Sequence, residues 1–258
     1  MNIDSFGATD VGRKRAHNED SLSISDDMRL YIIADGMGGH NAGEVASSTA
    51  VDTVMKFVRR CREDKDFTWP FGINPNLSEE ANILLTAIRI ANRNVCLRAG
   101  ERYEYSGMGT TILGILMEKD ENNNQVAHIA HVGDSRAYLV RDEKIEQLTT
   151  DHSWVNEQVQ KNILSHEAAR NHRWKNVITR ALGNKLNVEI DMSALEVMPD
   201  DYVMLCTDGL TGMLKDDEIL EIILNAGGNV QRACKTLIDK ANDKGGLDNI
   251  TVILLKFS

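Results

Sequence analysis

Cysteine, proline and basic charge are all in short supply in this 258-residue chain. The four cysteines, Cys61, Cys96, Cys206 and Cys234, lie far apart and lack the close spacing of a zinc site. Cys206 falls in an apolar run, and Cys61 and Cys96 fall on helical faces, so buried reduced thiols are expected rather than disulfides. The three prolines, Pro70, Pro75 and Pro199, mark a loop and a turn. No repeat, low-complexity tract or linker divides the chain, and it reads as one domain over residues 1–258. No apolar run is long enough to cross a bilayer, and no signal peptide precedes Met1-Asn2-Ile3-Asp4. The expected location is the cytoplasm. Lys and Arg number 29 against 39 Asp and Glu, a net charge of -10. That balance argues against nucleic acid or an anionic membrane surface as a partner, and Arg13-Lys14-Arg15 is too short to reverse it.

What the chain does have is a recurring pattern of apolar runs that end in aspartate. Tyr31-Ile32-Ile33-Ala34-Asp35-Gly36-Met37-Gly38-Gly39-His40 reads as a buried strand with a carboxylate at its exit. An unpaired charge is costly to bury, whereas a carboxylate beside close-approaching glycines suits a cation. Taken alone, an Asp-Gly turn fits this run as well as a metal site does. The pattern then returns in Val203-Met204-Leu205-Cys206-Thr207-Asp208-Gly209, in His131-Val132-Gly133-Asp134-Ser135-Arg136, and in Asp248-Asn249 before the last apolar run. If these ends converge, they form an oxygen-rich pocket for hard divalent ions.

The remaining periodicities supply a frame. Residues 2–9 and 21–25 read as strands around a polar loop that carries Arg15, His17, Asn18, Glu19 and Asp20. A helix over about 43–62 shows Ala46, Ala50, Val54, Phe57 and Cys61 on one face. Ser78 caps a second helix with Leu84, Ala87, Ile88, Ala91 and Val95 buried, and Gly100 is expected to end it. Strands follow at 110–117, 126–132, 137–140, 145–148, 188–198 and 201–207. With no helix between the first four of these, antiparallel pairing is expected. His128 and His131 have odd spacing and fall on opposite strand faces, so they read as core or edge histidines rather than a metal pair. Residues 153–175 read as a surface helical hairpin. Helices at 216–225 and 229–243 and a strand at 250–257 complete the chain.

Asn18-Glu19-Asp20, Ala34-Asp35-Gly36-Met37-Gly38-Gly39-His40, Gly109-Thr110-Thr111, Val132-Gly133-Asp134-Ser135-Arg136, Thr207-Asp208-Gly209-Leu210 and Asp248-Asn249 form an ordered series. As a set, from about Thr9 onward, it resembles the metal-dependent serine/threonine protein phosphatases of type 2C, the PPM family, in its bacterial branch. The resemblance implies an α+β fold: two mainly antiparallel sheets flanked by helices (α-β-β-α), with the metal site at one end. It implies Asp35 bridging two ions, Mn2+ or Mg2+, with the Gly36 carbonyl on one and Asp208 and Asp248 completing the other. Asp134, shared with Asp208, matches a ligand to a weaker third ion. Arg15 matches the clamp on substrate phosphate, and Asp20 a contact to metal-bound water. Animal members carry histidine directly after Asp-Gly where this chain has Met37, which leaves His40 as the nearby candidate for protonating the leaving group. The segment 153–175 matches a flap beside the pocket.

The reaction implied is hydrolysis of phosphoserine and phosphothreonine in proteins by a metal-bridging hydroxide, without a phosphoenzyme. The chain agrees in lacking both the Cys-x5-Arg loop and the Asp-x-Asp nucleophile of other phosphatase chemistries. The implied partners are phosphorylated proteins and a cognate bacterial serine/threonine kinase, in a signalling role, with the enzyme a monomer. A non-catalytic relative would be expected to lack some of these aspartates, and none is missing. A calcium module needs an Asp-x-Asp-x-Asp-Gly loop, which is absent. A small phosphoester as substrate stays open at this level.

Overall fold

The computed structural model describes residues 1–39, 42–64, 68–119 and 124–258. His40 and residues 120–123 of the expected polar turn lie outside the described residues. The strands are β1 (Ile3–Asp10), β2 (Asp20–Ser25), β3 (Leu30–Met37), β4 (Gly109–Thr110), β5 (Ile112–Lys119), β6 (Gln125–Val132), β7 (Arg136–Arg141), β8 (Lys144–Gln147), β9 (Asp191–Val197), β10 (Tyr202–Cys206) and β11 (Ile250–Phe257). The helices are α1 (Ala42–Glu63), α2 (Glu79–Glu101), α3 (Trp154–Gln160), α4 (His166–Arg170), α5 (Asp208–Thr211), α6 (Asp216–Asn225) and α7 (Val230–Asp243). One sheet runs β1-β11-β10-β7-β8 and the other β2-β3-β5-β6-β9, with β4 added beside β3. The strand pairs within both sheets are antiparallel.

The period of two along the strands builds the layers. In β3, Leu30, Ile32 and Ala34 face α1 and α2, whereas Tyr31 and Ile33 face the other sheet. In β11, Val252 and Leu254 meet α6 and α7, whereas Ile253, Leu255 and Phe257 join Tyr31 and Ile33 between the sheets. A strand apolar on both faces must be covered on both, and the chain does so in the order helix, sheet, sheet, helix. Each fully buried large side chain contributes about 1.5–3 kcal/mol. The inter-sheet layer can therefore offset the cost of packing carboxylates at its end.

Some expectations shift. Gly100 does not terminate α2, which runs to Glu101 and turns extended at Arg102. Gly100 does not take a positive φ, so it lacks the left-handed cap that ends many helices. The strand expected at 188–198 is paired only over Asp191–Val197, its register with β6 beginning at His131↔Asp191. The strand expected at 110–117 is broken at Thr111, which separates β4 from β5. Phe57 lies at the margin of the α1 stripe, whose core passes through Val51 and Val58. The four thiols are free, with Cys96 half-buried and the others buried.

Candidate metal centre

The aspartates meet where the two sheets abut. Asp20 and Asp35 are direct neighbours across β2 and β3. Asp208 follows β10 and opens α5, so it stands at the first position of a helical turn rather than at a strand end. Asp248 precedes β11, and β11 pairs β10. Asp134 sits in the turn between β6 and β7. One sheet therefore supplies Asp208 and Asp248 and the other Asp20 and Asp35, with Asp134 on the turn that crosses between them.

Backbone contacts fix these positions. Thr111 donates its N–H to the Asp35 carbonyl at 2.8 Å and accepts the Asp35 N–H on its hydroxyl at 2.9 Å. The Thr110 hydroxyl adds a second bond to the same carbonyl at 2.9 Å. Thr111 also reaches the Ser135 hydroxyl at 2.8 Å, which ties β3 to the Asp134 turn. At Gly36 an added Cβ would lie 2.1 Å from the Gly43 carbonyl oxygen, and at Gly209 it would lie 1.9 Å from that of Asn249. These glycines let separate backbones touch beneath the pocket.

The electrostatics are severe. Burial, aided by neighbouring carboxylates, pushes Asp35 and Asp134 well above the usual carboxylate range. The same causes push Asp20 up to about 7 and Asp208 up to about 6. Hydroxyls of Thr207 and Thr251 donate to Asp20 Oδ2 at 2.9 and 2.6 Å, which partly opposes that rise. Asp208 Oδ1, Asp20 Oδ1 and Glu19 Oε1 are buried oxygens without a hydrogen-bond partner. Buried acceptors without donors, set among carboxylates that raise one another's pKa, want a cation, and an all-oxygen set suits Mg2+ or Mn2+. The donor set therefore fits a divalent pair. Arg15 reaches over the group from the β1–β2 loop and pairs with Asp248 Oδ2 at 2.7 Å, its side chain half exposed.

A sequence profile described as protein phosphatase 2C matches residues 10–241 of this chain. The chain belongs to the protein phosphatase 2C family. A curated relative, a serine/threonine phosphatase stp of Listeria welshimeri, is 38% identical over 255 residues, covering 96% of this chain and 93% of its own. The S. agalactiae serine/threonine phosphatase structure superposes with a TM-score of 0.86 at 35% identity, covering 100% of both chains. The catalytic domain of a phosphatase named PstP, solved in complex with two manganese ions, gives 0.82 at 31% identity, covering 98% of this chain and 97% of its own. The chain is thus a serine/threonine protein phosphatase, and the expected α-β-β-α sandwich holds.

As a type 2C phosphatase it uses a residue that sequence reasoning left without a role. Asn249 receives the Glu19 N–H at 2.8 Å and donates to the Val11 and His17 carbonyls at 2.9 Å each. It thus anchors the loop carrying Arg15 and Glu19. Glu19 carries an unpartnered buried oxygen, and in the sequence its place in the Asn18-Glu19-Asp20 motif, where the resemblance gives acidic residues a role toward metal-bound water, is what set it apart from a solvated side chain. The motif ends at the start of β2, beside Asp35. His128 packs against Glu118 and Ser78, away from the aspartates. His131, His152 and Asp191 offer ligand atoms within 4.8 Å of one another. Arg180, however, lies in that cluster, bonded to Asp191 at 2.5 Å, and His131 Nε2 is taken up by the Thr150 carbonyl at 2.9 Å. A guanidinium inside the cluster makes it a hydrogen-bond network rather than a cation site.

The segment expected to form a flap folds as α3 and α4, each capped by a serine side chain, Ser153 and Ser165. Its core is a small aromatic group. Trp154 meets Trp174 edge-on at 4.6 Å and stacks on His172 at 5.1 Å. Ile163, Trp174 and Val177 leave apolar surface exposed.

Proposed function

We propose that this phosphatase hydrolyses phosphoserine and phosphothreonine in proteins with two Mn2+ or Mg2+ ions held by Asp35, the Gly36 carbonyl, Asp208 and Asp248. Asp134, together with Asp208, would hold a weaker third ion. The observation that carries this reading is the convergence of five aspartates at the seam of the sheets, two of them, Asp20 and Asp208, with an unpartnered buried oxygen. When bound, the ions supply acidification of a water and neutralisation of phosphate charge. Asp20 and Glu19 accept hydrogen bonds from water in the pocket, and the two threonine hydroxyls on Asp20 hold its free oxygen toward it. Arg15 uses only one N–H on Asp248, so the rest of its planar fork serves the substrate phosphate. Water attacks phosphorus in line, the phosphorus–oxygen bond to the serine or threonine breaks, and no enzyme side chain is phosphorylated. His40, outside the described residues, is the proposed proton donor to the leaving oxygen.

The chain works as one domain, with the segment at about 153–175 as a flap over the pocket. Its substrates are proteins phosphorylated by a bacterial serine/threonine kinase, so it acts in signalling, as a monomer in the cytoplasm. Among the described residues no helix is long and apolar enough to cross a membrane. The direct test is chelation: hydrolysis of a phosphate monoester is expected to vanish and to return with Mn2+ or Mg2+ but not with Ca2+. Full activity in excess chelator would sink the two-metal reading.

A further inference from the structure

His152 grips the peptide of Gly133 from both sides. Its main-chain N–H donates to the Gly133 carbonyl at 3.0 Å, and its ring Nδ1 accepts the Gly133 N–H at 3.0 Å. Gly133 needs that grip, because it sits at φ +113 with Thr111 so close that a Cβ would lie 2.6 Å from its Cγ2. The next residue is Asp134.

The tautomer follows from the donors. Gly133 N–H requires a lone pair on Nδ1, so the ring proton sits on Nε2. Nε2 donates to Asp191 Oδ2 at 3.2 Å; Arg180 Nη1 lies 3.0 Å from Nε2 but, being a donor itself, directs its proton to Asp191 Oδ1. Burial and the Arg180 charge favour the neutral ring, and His131 stacks against it at 4.7 Å. The His152 carbonyl accepts from Thr179 N–H at 2.8 Å, which pins its backbone to the far end of the flap segment. A chain of contacts thus runs from Arg180 through Asp191 and His152 to the peptide that carries Asp134.

We propose that His152 is a positioning residue that, held by Asp191 and Arg180, fixes the Gly133 peptide and so aims the Asp134 carboxylate into the metal pocket. The inference rests on the reading of Asp134 as a metal ligand. It gives a physical reason for Asp151-His152-Ser153 at the base of the flap. It also separates two side-chain functions: Nδ1 supports the pocket, whereas Nε2 only holds the ring.

Three full-length variants test it by calorimetric titration of the metal-free protein with Mn2+. His152→Asn keeps an acceptor near the Nδ1 position, and His152→Gln keeps a donor near Nε2 but loses that acceptor. Asp134→Asn is the reference for loss of the carboxylate. His152→Gln is expected to weaken the weakest Mn2+ site about tenfold, as Asp134→Asn does, while His152→Asn stays close to the parent. Loss in Asp134→Asn with none in His152→Gln overturns the positioning role and leaves the metal reading standing. No loss in either removes Asp134 from the ligand set, and the positioning role falls with it. Nitrogen NMR of the unsubstituted protein needs no variant to fold: His152 Nδ1 is expected without a proton, and a protonated Nδ1 refutes the proposal.

Discussion

Asp20 lies between two threonine hydroxyls and the Asp35 carboxylate, and burial lifts its pKa to about 7, with Asp208 at about 6, from an ordinary 3.8. Between about pH 4 and pH 7 the folded protein therefore holds protons that the unfolded chain has released, so metal-free stability falls as pH rises through that window. Thermal melts in chelator are expected to give a higher Tm near pH 5.5 than near pH 7.5, each kcal/mol being worth about 2–4 °C. Mn2+ is expected to flatten the difference, because a cation relieves the same repulsion that a proton does. A pH slope unchanged in Asp20→Asn would remove Asp20 as its source. Asp208→Asn or Asp248→Asn is expected to abolish turnover while far-UV circular dichroism is retained. Arg15→Ala is expected to raise KM by a larger factor than it lowers kcat, and unchanged constants would count against the clamp. The proposed ligands were legible because aspartate at the end of an apolar run is chemically out of place. Glu19 and Asn249 were visible as members of the motif series, but the contact between them was not, since they lie 230 residues apart.

At the level of secondary structure, the long periodic pieces read well: α1, α2 and α6 each bury the face or span that their spacing implied. What failed was local and governed by tertiary contact. The four-residue α5 carries no periodicity, and the break at Thr111 exists because its backbone turns aside to hold Asp35. The flap reads as a polar hairpin in sequence, yet Trp154, His172 and Trp174 give it a nucleus of its own. Its ends are set by Ser153 bridging Ile178 and by Trp154 N–H on the Val177 carbonyl at 2.8 Å. Replacing residues 155–176 with a short Gly-Ser linker is expected to leave Mn2+ binding largely intact. Rates on a phosphoprotein should then change by a larger factor than rates on a small aryl phosphate, because only the protein is wide enough to touch the flap. Equal proportional changes would show that the flap is scaffold alone.

Across the molecule, the pocket exists only while the two sheets are pressed together, since each supplies part of the carboxylate set. Divalent ions that bind this arrangement and not the unfolded chain must stabilise the whole fold, by RT ln(1 + [ion]/Kd). A Tm that climbs with the logarithm of Mn2+ concentration is the expected signature, and a flat Tm would contradict binding at the seam. Gly209→Ala probes the same seam from the backbone side, because its Cβ would meet the Asn249 carbonyl oxygen. Overpacking of that kind costs about 1–3 kcal/mol. The expected Tm loss is about 2–12 °C, together with a fall in Mn2+ affinity. The layered architecture was implied by the family resemblance more than by periodicity, because strands apolar on both faces do not say which neighbour covers which face.

The pairing of β1 with β11 joins Ile3 to Phe257, and Asn249 in turn reaches back to the loop before β2. Contacts of that sequence separation are among the slowest to form in a folding chain. Turnover is therefore a late reporter of folding in this enzyme. In a refolding experiment, helical ellipticity is expected to recover first and hydrolysis last, when β11 docks and brings Asp248 into place. A fragment lacking the β11 region would lose both Asp248 and the strand on which α7 packs, and would have no enzyme in it.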